Sequence, residues 1–124
     1  MWKWNLQRLR NEREGLQVCL RIENHVILDT SHTGDPVTIY VDGKEITAYE
    51  GEPILAALLA NHIRVNRYTV KRKEPRGLYC GIGQCTDCAM VVDGQPNVKT
   101  CVTPVRSGMV IQTQYGLTAK EADK

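Results

Sequence analysis

Phenylalanine is missing from this 124-residue chain, and aromatic residues total only 6%. Any core must be filled by Leu, Ile, Val and Tyr, and a chain of this length supports one domain of modest size. Long apolar runs are also missing. The longest covers residues 54–60, far short of the roughly 20 needed to cross a bilayer, so no membrane span is expected. Residues 1–14 are basic but have no apolar stretch of the kind a secretory signal carries, which points to a cytoplasmic setting. A strong charge of one sign is absent too. Sixteen Lys and Arg against 14 Asp and Glu leave a net charge of +2, too little to argue for a nucleic-acid partner. Repeats and low-complexity segments are not seen.

What is present divides the chain into three: an N-terminal extension at 1–20, a folded domain at 21–116, and a polar tail at 117–124. Val37, Ile39 and Val41 alternate with Thr38, Tyr40 and Asp42, the period of a half-buried strand. Asp42-Gly43 is a hairpin signal, because a type I′ turn needs positive φ at both central positions, and Ile46 and Ala48 continue the return strand. Glu50, Glu52 and Pro53 are placed to open a helix, acids at its positive end and proline in its first turn. Ile54, Leu55, Leu58 and Leu59 line one face of it, and Asn61 stops it. A second hairpin runs from residues 89–92 through Asp93-Gly94, and residues 109–113 form a last strand. Hairpin, helix, hairpin and final strand predict a small α+β domain. A β-grasp sheet curled over one helix fits this order, although periodicity alone does not fix that topology.

Five cysteines in a reducing setting point to metal or redox chemistry before disulfides. Four are spaced C-x4-C-x2-C-x12-C: Cys80, Cys85, Cys88 and Cys101. A 2Fe-2S cluster needs four thiolates. Three can come from one loop that coils around it, and the hairpin between Cys88 and Cys101 brings the chain back with the fourth. The oxidised cluster with its thiolates carries a formal charge of about −2, costly to bury unless donors surround it. Gly81 and Gly83 let the loop backbone wrap closely and turn N–H groups towards sulfur. Zinc also accepts four cysteines, more often from two C-x2-C knuckles, and remains an open alternative on spacing alone. Cys19 lies in an alternating apolar stretch and reads as a packed thiol.

The cysteine loop, together with Val41-Asp-Gly-Lys44, Tyr49-Glu-Gly-Glu-Pro-Ile54, Arg76-Gly77 and Asn97-Val-Lys-Thr-Cys-Val-Thr-Pro-Val-Arg-Ser-Gly-Met109, resembles the small 2Fe-2S subunits of heteromeric flavin-dependent dehydrogenases and oxidases. That group includes the iron–sulfur components of hydrogen cyanide synthase, opine oxidases and proline or hydroxyproline dehydrogenases, and a segment of heterotetrameric sarcosine oxidase. The resemblance covers residues 21–115. It implies a ferredoxin-like β-grasp fold, ligation by the four named cysteines, and a flavoprotein partner that carries FAD. Plant-type ferredoxins place their fourth cysteine much further on. Xanthine-oxidase-type subunits add a second cluster domain for which this chain has neither room nor cysteines.

A basic run, Arg64, Arg67, Lys71, Arg72, Lys73 and Arg76, leads into the cysteine loop. Such runs are commonly solvated; here Lys71, Arg72 and Lys73 are also candidates for docking a partner or offsetting cluster charge. Trp2, Leu6 and Leu9 fall at helical spacing and could dock on a partner. His25, His32 and His62 show no ligand spacing. No nucleotide-binding glycine fingerprint and no nucleophile–base set is found, so the expectation is an electron-transfer subunit that is not catalytic alone. A free-standing ferredoxin and a zinc-stabilised binding module are the alternatives. Colour separates the last: the purified protein is expected to be red-brown and to contain iron and acid-labile sulfide, whereas a colourless zinc protein would end the redox reading.

Overall fold

A computed structural model describes residues 20–22, 25–29 and 34–117. The proposed N-terminal amphipathic helix, Cys19, His32 and nearly all of the polar tail lie outside the described residues.

The first hairpin forms as its sequence dictates. β1 (Pro36–Val41) and β2 (Lys44–Tyr49) pair antiparallel, from Val41 opposite Lys44 to Pro36 opposite Tyr49. Ile39, Val41, Ile46 and Ala48 point inward while their neighbours face solvent. Asp42 and Gly43 have φ of 49° and 81°, the conformation a type I′ turn requires. β5 (Ala89–Val92) and β6 (Gln95–Lys99) form the second hairpin, turned by Asp93 and Gly94 at φ of 49° and 83°.

Both turns lock onto a single strand, β7 (Val110–Gln112). Asp93 accepts the Val110 N–H through its carboxylate at 2.9 Å. Asp42 accepts from the N–H and hydroxyl of Thr113 at 2.8 and 2.6 Å. β7 runs parallel to β1 and antiparallel to β5, giving a five-stranded sheet in the order β2-β1-β7-β5-β6. The helix α1 (Ile54–Ala60) lies on one face, which completes the β-grasp arrangement. A smaller sheet, β4-β3-β8, comprises β3 (Arg67–Tyr68), β4 (Pro75–Arg76) and β8 (Gln114–Tyr115).

Two expectations need correction. Proline and the two acids do not occupy the first turn of the helix. Pro53 is the N-cap, and no acidic residue lies in the first turn. Glu52 instead accepts both arms of the Arg21 guanidinium, at 2.7 and 2.6 Å, and the Tyr49 N–H at 2.9 Å. The early helical N–H groups find backbone acceptors: Ile54 donates to the Thr103 carbonyl at 2.9 Å and Leu55 to that of Thr100 at 3.0 Å. The single final strand is also divided. Residues 110–112 belong to the large sheet and 114–115 to the small one, because Gln114 turns inward. Its amide donates to Asn97 Oδ1 at 2.7 Å and its Oε1 accepts the Asn97 N–H at 2.7 Å. Asn97, at φ 61°, occupies the irregularity where the β5–β6 register shifts.

The helix divides its apolar surface. Ile54, Ala57 and Leu58 join Ile39, Ile46, Met90, Val105 and Ile111 in the main core. Leu55, with Leu59 beside it, packs instead on Cys88 and Cys101. Leu58→Ala removes a fully buried side chain and is expected to cost about 2–5 kcal/mol, read as a fall in the urea midpoint.

Candidate metal centre

β4 delivers the chain into the cysteine loop, which has no regular structure between residues 77 and 88. Gly81 and Gly83 stand at φ of +70° and +78°, a region that costs other residues roughly 1–2 kcal/mol. This bends the loop around Cys80. The Cys80 Sγ accepts the N–H groups of Cys85 at 3.3 Å and Ile82 at 3.5 Å. These donors, Cys85 first, draw the Cys80 thiol down to about 6, with the Gln84 N–H adding to them and burial opposing. The loop thus favours a thiolate, the form that binds metal.

Cys88 immediately precedes β5, and Cys101 lies two residues beyond the end of β6, with Thr100 between. Since Ala89 pairs with Lys99, the hairpin sets the two thiols side by side against Leu55, both buried. Burial pushes the Cys101 thiol up and the neighbouring Cys88 thiol adds to this; the Gly83 N–H acts the other way. The thiols therefore stand as two pairs, Cys80 with Cys85 and Cys88 with Cys101, joined across the Gly83 backbone. All four are free thiols. Among the described residues no three Cys, His, Asp or Glu side chains form a set able to hold a metal ion. Two pairs suit a cluster in which two thiolates serve each of two irons; a single tetrahedral ion would need all four around one point. With backbone N–H groups aimed at sulfur, the residues present fit a 2Fe-2S group.

Three residues behind the thiols were not singled out by sequence reasoning. Thr100, fully buried, donates its hydroxyl to the Cys88 carbonyl at 2.8 Å. Asn66, also fully buried, donates to Met90 Sδ at 3.1 Å and to the Thr100 hydroxyl at 3.5 Å. Lys99 donates its ammonium to the Gly83 carbonyl at 2.7 Å. Thr100 and Lys99 lie within the quoted stretch ending at Met109, yet nothing in their spacing distinguishes them. Asn66 sits in a loop with no motif at all.

The basic run does not form one patch. Arg67 pairs with Asp87 at 3.4 Å and Arg76 with Glu74 at 2.8 Å. Lys71, Arg72 and Lys73 project at the tip of the β3–β4 hairpin, all exposed, with Arg72 at 3.9 Å from Glu74. His25 accepts the N–H groups of Ile27 and Leu28, a local turn remote from any ligand role. Beside the thiols the surface is apolar: Leu78, Tyr79, Ile82 and Val102 are 51%, 82%, 69% and 55% exposed.

A β-grasp sheet presenting three free thiols in a glycine-turned loop and a fourth just beyond the β5–β6 hairpin defines a class, the small iron–sulfur electron carriers. The chain belongs to the 2Fe-2S iron–sulfur cluster binding domain family, whose model matches residues 34–116. It is similar to hydrogen cyanide synthase subunit HcnA of Pseudomonas aeruginosa, 31% identical over 71% of this chain and 88% of that one. The Pseudomonas protegens protein of the same name is 35% identical over 62% of this chain and 72% of the relative. Among solved structures, L-proline dehydrogenase from P. horikoshii matches with a TM-score of 0.57 and 35% identity. That match covers 68% of this chain, and the chain spans 16% of the length of that structure. The protein therefore carries a 2Fe-2S cluster and transfers electrons, and its relatives include subunits of oxidoreductases. No described helix is long and apolar enough to cross a membrane.

A Cβ on Gly83 would meet Val102 at 3.1 Å in a strained left-handed conformation. Gly83→Ala is expected to destabilise the loop by about 1–2 kcal/mol, read as loss of visible absorption at a lower denaturant concentration than in wild type.

Proposed function

We propose that this chain is the iron–sulfur subunit of a flavin-dependent dehydrogenase complex acting on an amine or imino acid of the proline type, with its cluster held by Cys80, Cys85, Cys88 and Cys101. The cluster, when bound, accepts and releases one electron at a time. A flavoprotein partner carrying FAD would take two electrons from the substrate and pass them on singly.

The observation that carries this reading is the apolar rim. Four large apolar side chains are exposed around half-exposed Cys80 and Cys85. Such a concentration marks a face that another protein covers, and covering it would bring a donor close to the thiols while excluding water. A freely diffusing ferredoxin, the second reading, has less use for it. The chain's own residues then have distinct tasks. The loop N–H groups favour thiolate at Cys80, Leu55 and Leu59 keep the inner pair dry, and Lys71, Arg72 and Lys73 offer cations to an acidic partner surface. The similarity to the hydrogen cyanide synthase subunits and to proline dehydrogenase supports the flavin-dependent setting.

Each of the four Cys→Ser changes is expected to abolish or sharply reduce iron and sulfide content, while Cys19→Ser retains both. An intact cluster in Cys101→Ser would sink the ligand assignment. Reversing Lys71, Arg72 and Lys73 to Glu is expected to weaken assembly with the flavoprotein, read in a pull-down. The isolated chain should be reduced by dithionite yet be inert towards proline, hydroxyproline, sarcosine and glycine. With the flavoprotein added, substrate should bleach its visible absorption; turnover by the flavin-free chain would show the relay reading to be wrong.

A further inference from the structure

Lys99 is the one lysine among the described residues for which a hydrogen bond into the cysteine loop is seen. Its side chain is half-buried, and its ammonium donates to the Gly83 carbonyl at 2.7 Å. That carbonyl lies in the loop between Ile82 and Cys85, whose N–H groups donate to the Cys80 sulfur at 3.5 and 3.3 Å. The bond holds the Lys99 ammonium inside the loop that turns around Cys80, so its charge acts on the thiols through space at short range. Its backbone is fixed by pairing with Ala89, next to Cys88, so the cation is delivered from the hairpin that supplies the inner thiols to the loop that supplies the outer ones.

We propose that Lys99 is a positioning residue that raises the reduction potential of the cluster and clamps the cysteine loop, its charge fixed there by the bond to the Gly83 carbonyl. The proposal rests on the reading that these four cysteines hold the cluster. Reduction adds one electron, from dithionite in the test or from a reduced flavin in the complex, and takes the cluster with its thiolates from a formal charge of about −2 to about −3. No bond is made or broken. A fixed positive charge in a partly desolvated place stabilises the more negative state most. The exposed cations at Lys71, Arg72 and Lys73 are screened by solvent and cannot substitute for it.

The test is a dithionite titration of the full-length cluster-loaded protein, followed by the EPR signal of the reduced cluster, with iron and sulfide measured on each sample. Lys99→Met removes charge and donor but keeps the aliphatic stem. Lys99→Arg keeps both. Lys44→Met, at the distant β1–β2 turn, makes the same change in net charge. Lys99→Met is expected to lower the reduced-to-oxidised ratio at a given potential about tenfold, or ~59 mV for one electron. Lys99→Arg should restore most of the shift, and Lys44→Met should leave the potential in place. If Lys99→Met loads too little cluster to titrate, Lys99→Gln is titrated against the same criterion. A fully loaded Lys99→Met or Lys99→Gln protein whose potential differs no more from wild type than that of Lys44→Met would overturn the proposal while leaving the cysteine assignment intact. Absence of iron and sulfide from the wild-type protein would instead overturn the cysteine assignment.

Discussion

Thr100 is where the fold and the metal centre become one structure. It is fully buried, and each of its polar groups is used. Its carbonyl accepts the Leu55 N–H near the start of α1, its hydroxyl and N–H both donate to the Cys88 carbonyl, and the hydroxyl also accepts from Asn66. An unpaired polar atom at such depth would cost roughly 1–3 kcal/mol, so the contacts are mutually enforcing. The helix can begin only where the chain around Cys101 supplies acceptors, and that chain is placed only if the β5–β6 hairpin returns in register. Gly51 and Glu52 extend the same ladder, exchanging backbone hydrogen bonds with Val105 at 3.0 and 2.7 Å. The inner pair of thiols is therefore set by the core, whereas the outer pair depends on the conformation of one glycine-turned loop.

That division explains why the inner and outer thiols differ chemically. Cys88 and Cys101 gain their position from apolar neighbours, and burial disfavours charge on Cys101. Cys80 sits among backbone donors that favour charge. A cluster spanning both pairs would meet a dry side that holds it and a polar, half-exposed side through which electrons can pass. The apolar rim of Leu78, Tyr79, Ile82 and Val102 borders that second side.

Local rules made the hairpins legible. Asp42-Gly43 and Asp93-Gly94 have the φ values their turn type demands, and alternation put Ile39, Val41, Ile46 and Ala48 on the core face. The cysteine spacing was informative for the same reason, since the distance from Cys88 to Cys101 is the length of one hairpin. What escaped was everything that depends on contact between distant segments. Two-residue strands such as β3, β4 and β8 leave no periodic trace. Glu52 looked like a helix-opening acid because its partner, Arg21, is 31 positions away. The basic run looked continuous, yet Asp87 and Glu74 claim two of its members and leave the exposed three at a hairpin tip.

Those same long-range contacts bear on how charge is handled in such a small protein. With a net charge of +2 the chain has no general field strong enough to offset a buried anionic cluster, so the compensation must be local and directional. Backbone N–H groups supply most of it, because a loop turned by Gly81 and Gly83 can aim several donors at one sulfur without burying a side-chain charge. Lys99 adds a cation on the loop backbone itself, at the Gly83 carbonyl. Abundance of positive residues in the sequence is therefore a poor guide to where charge is placed: of the six basic residues in the run at 64–76, three project at an exposed hairpin tip and Arg67 is matched by the loop's own Asp87, while Lys99, on the hairpin behind, bonds to the loop backbone.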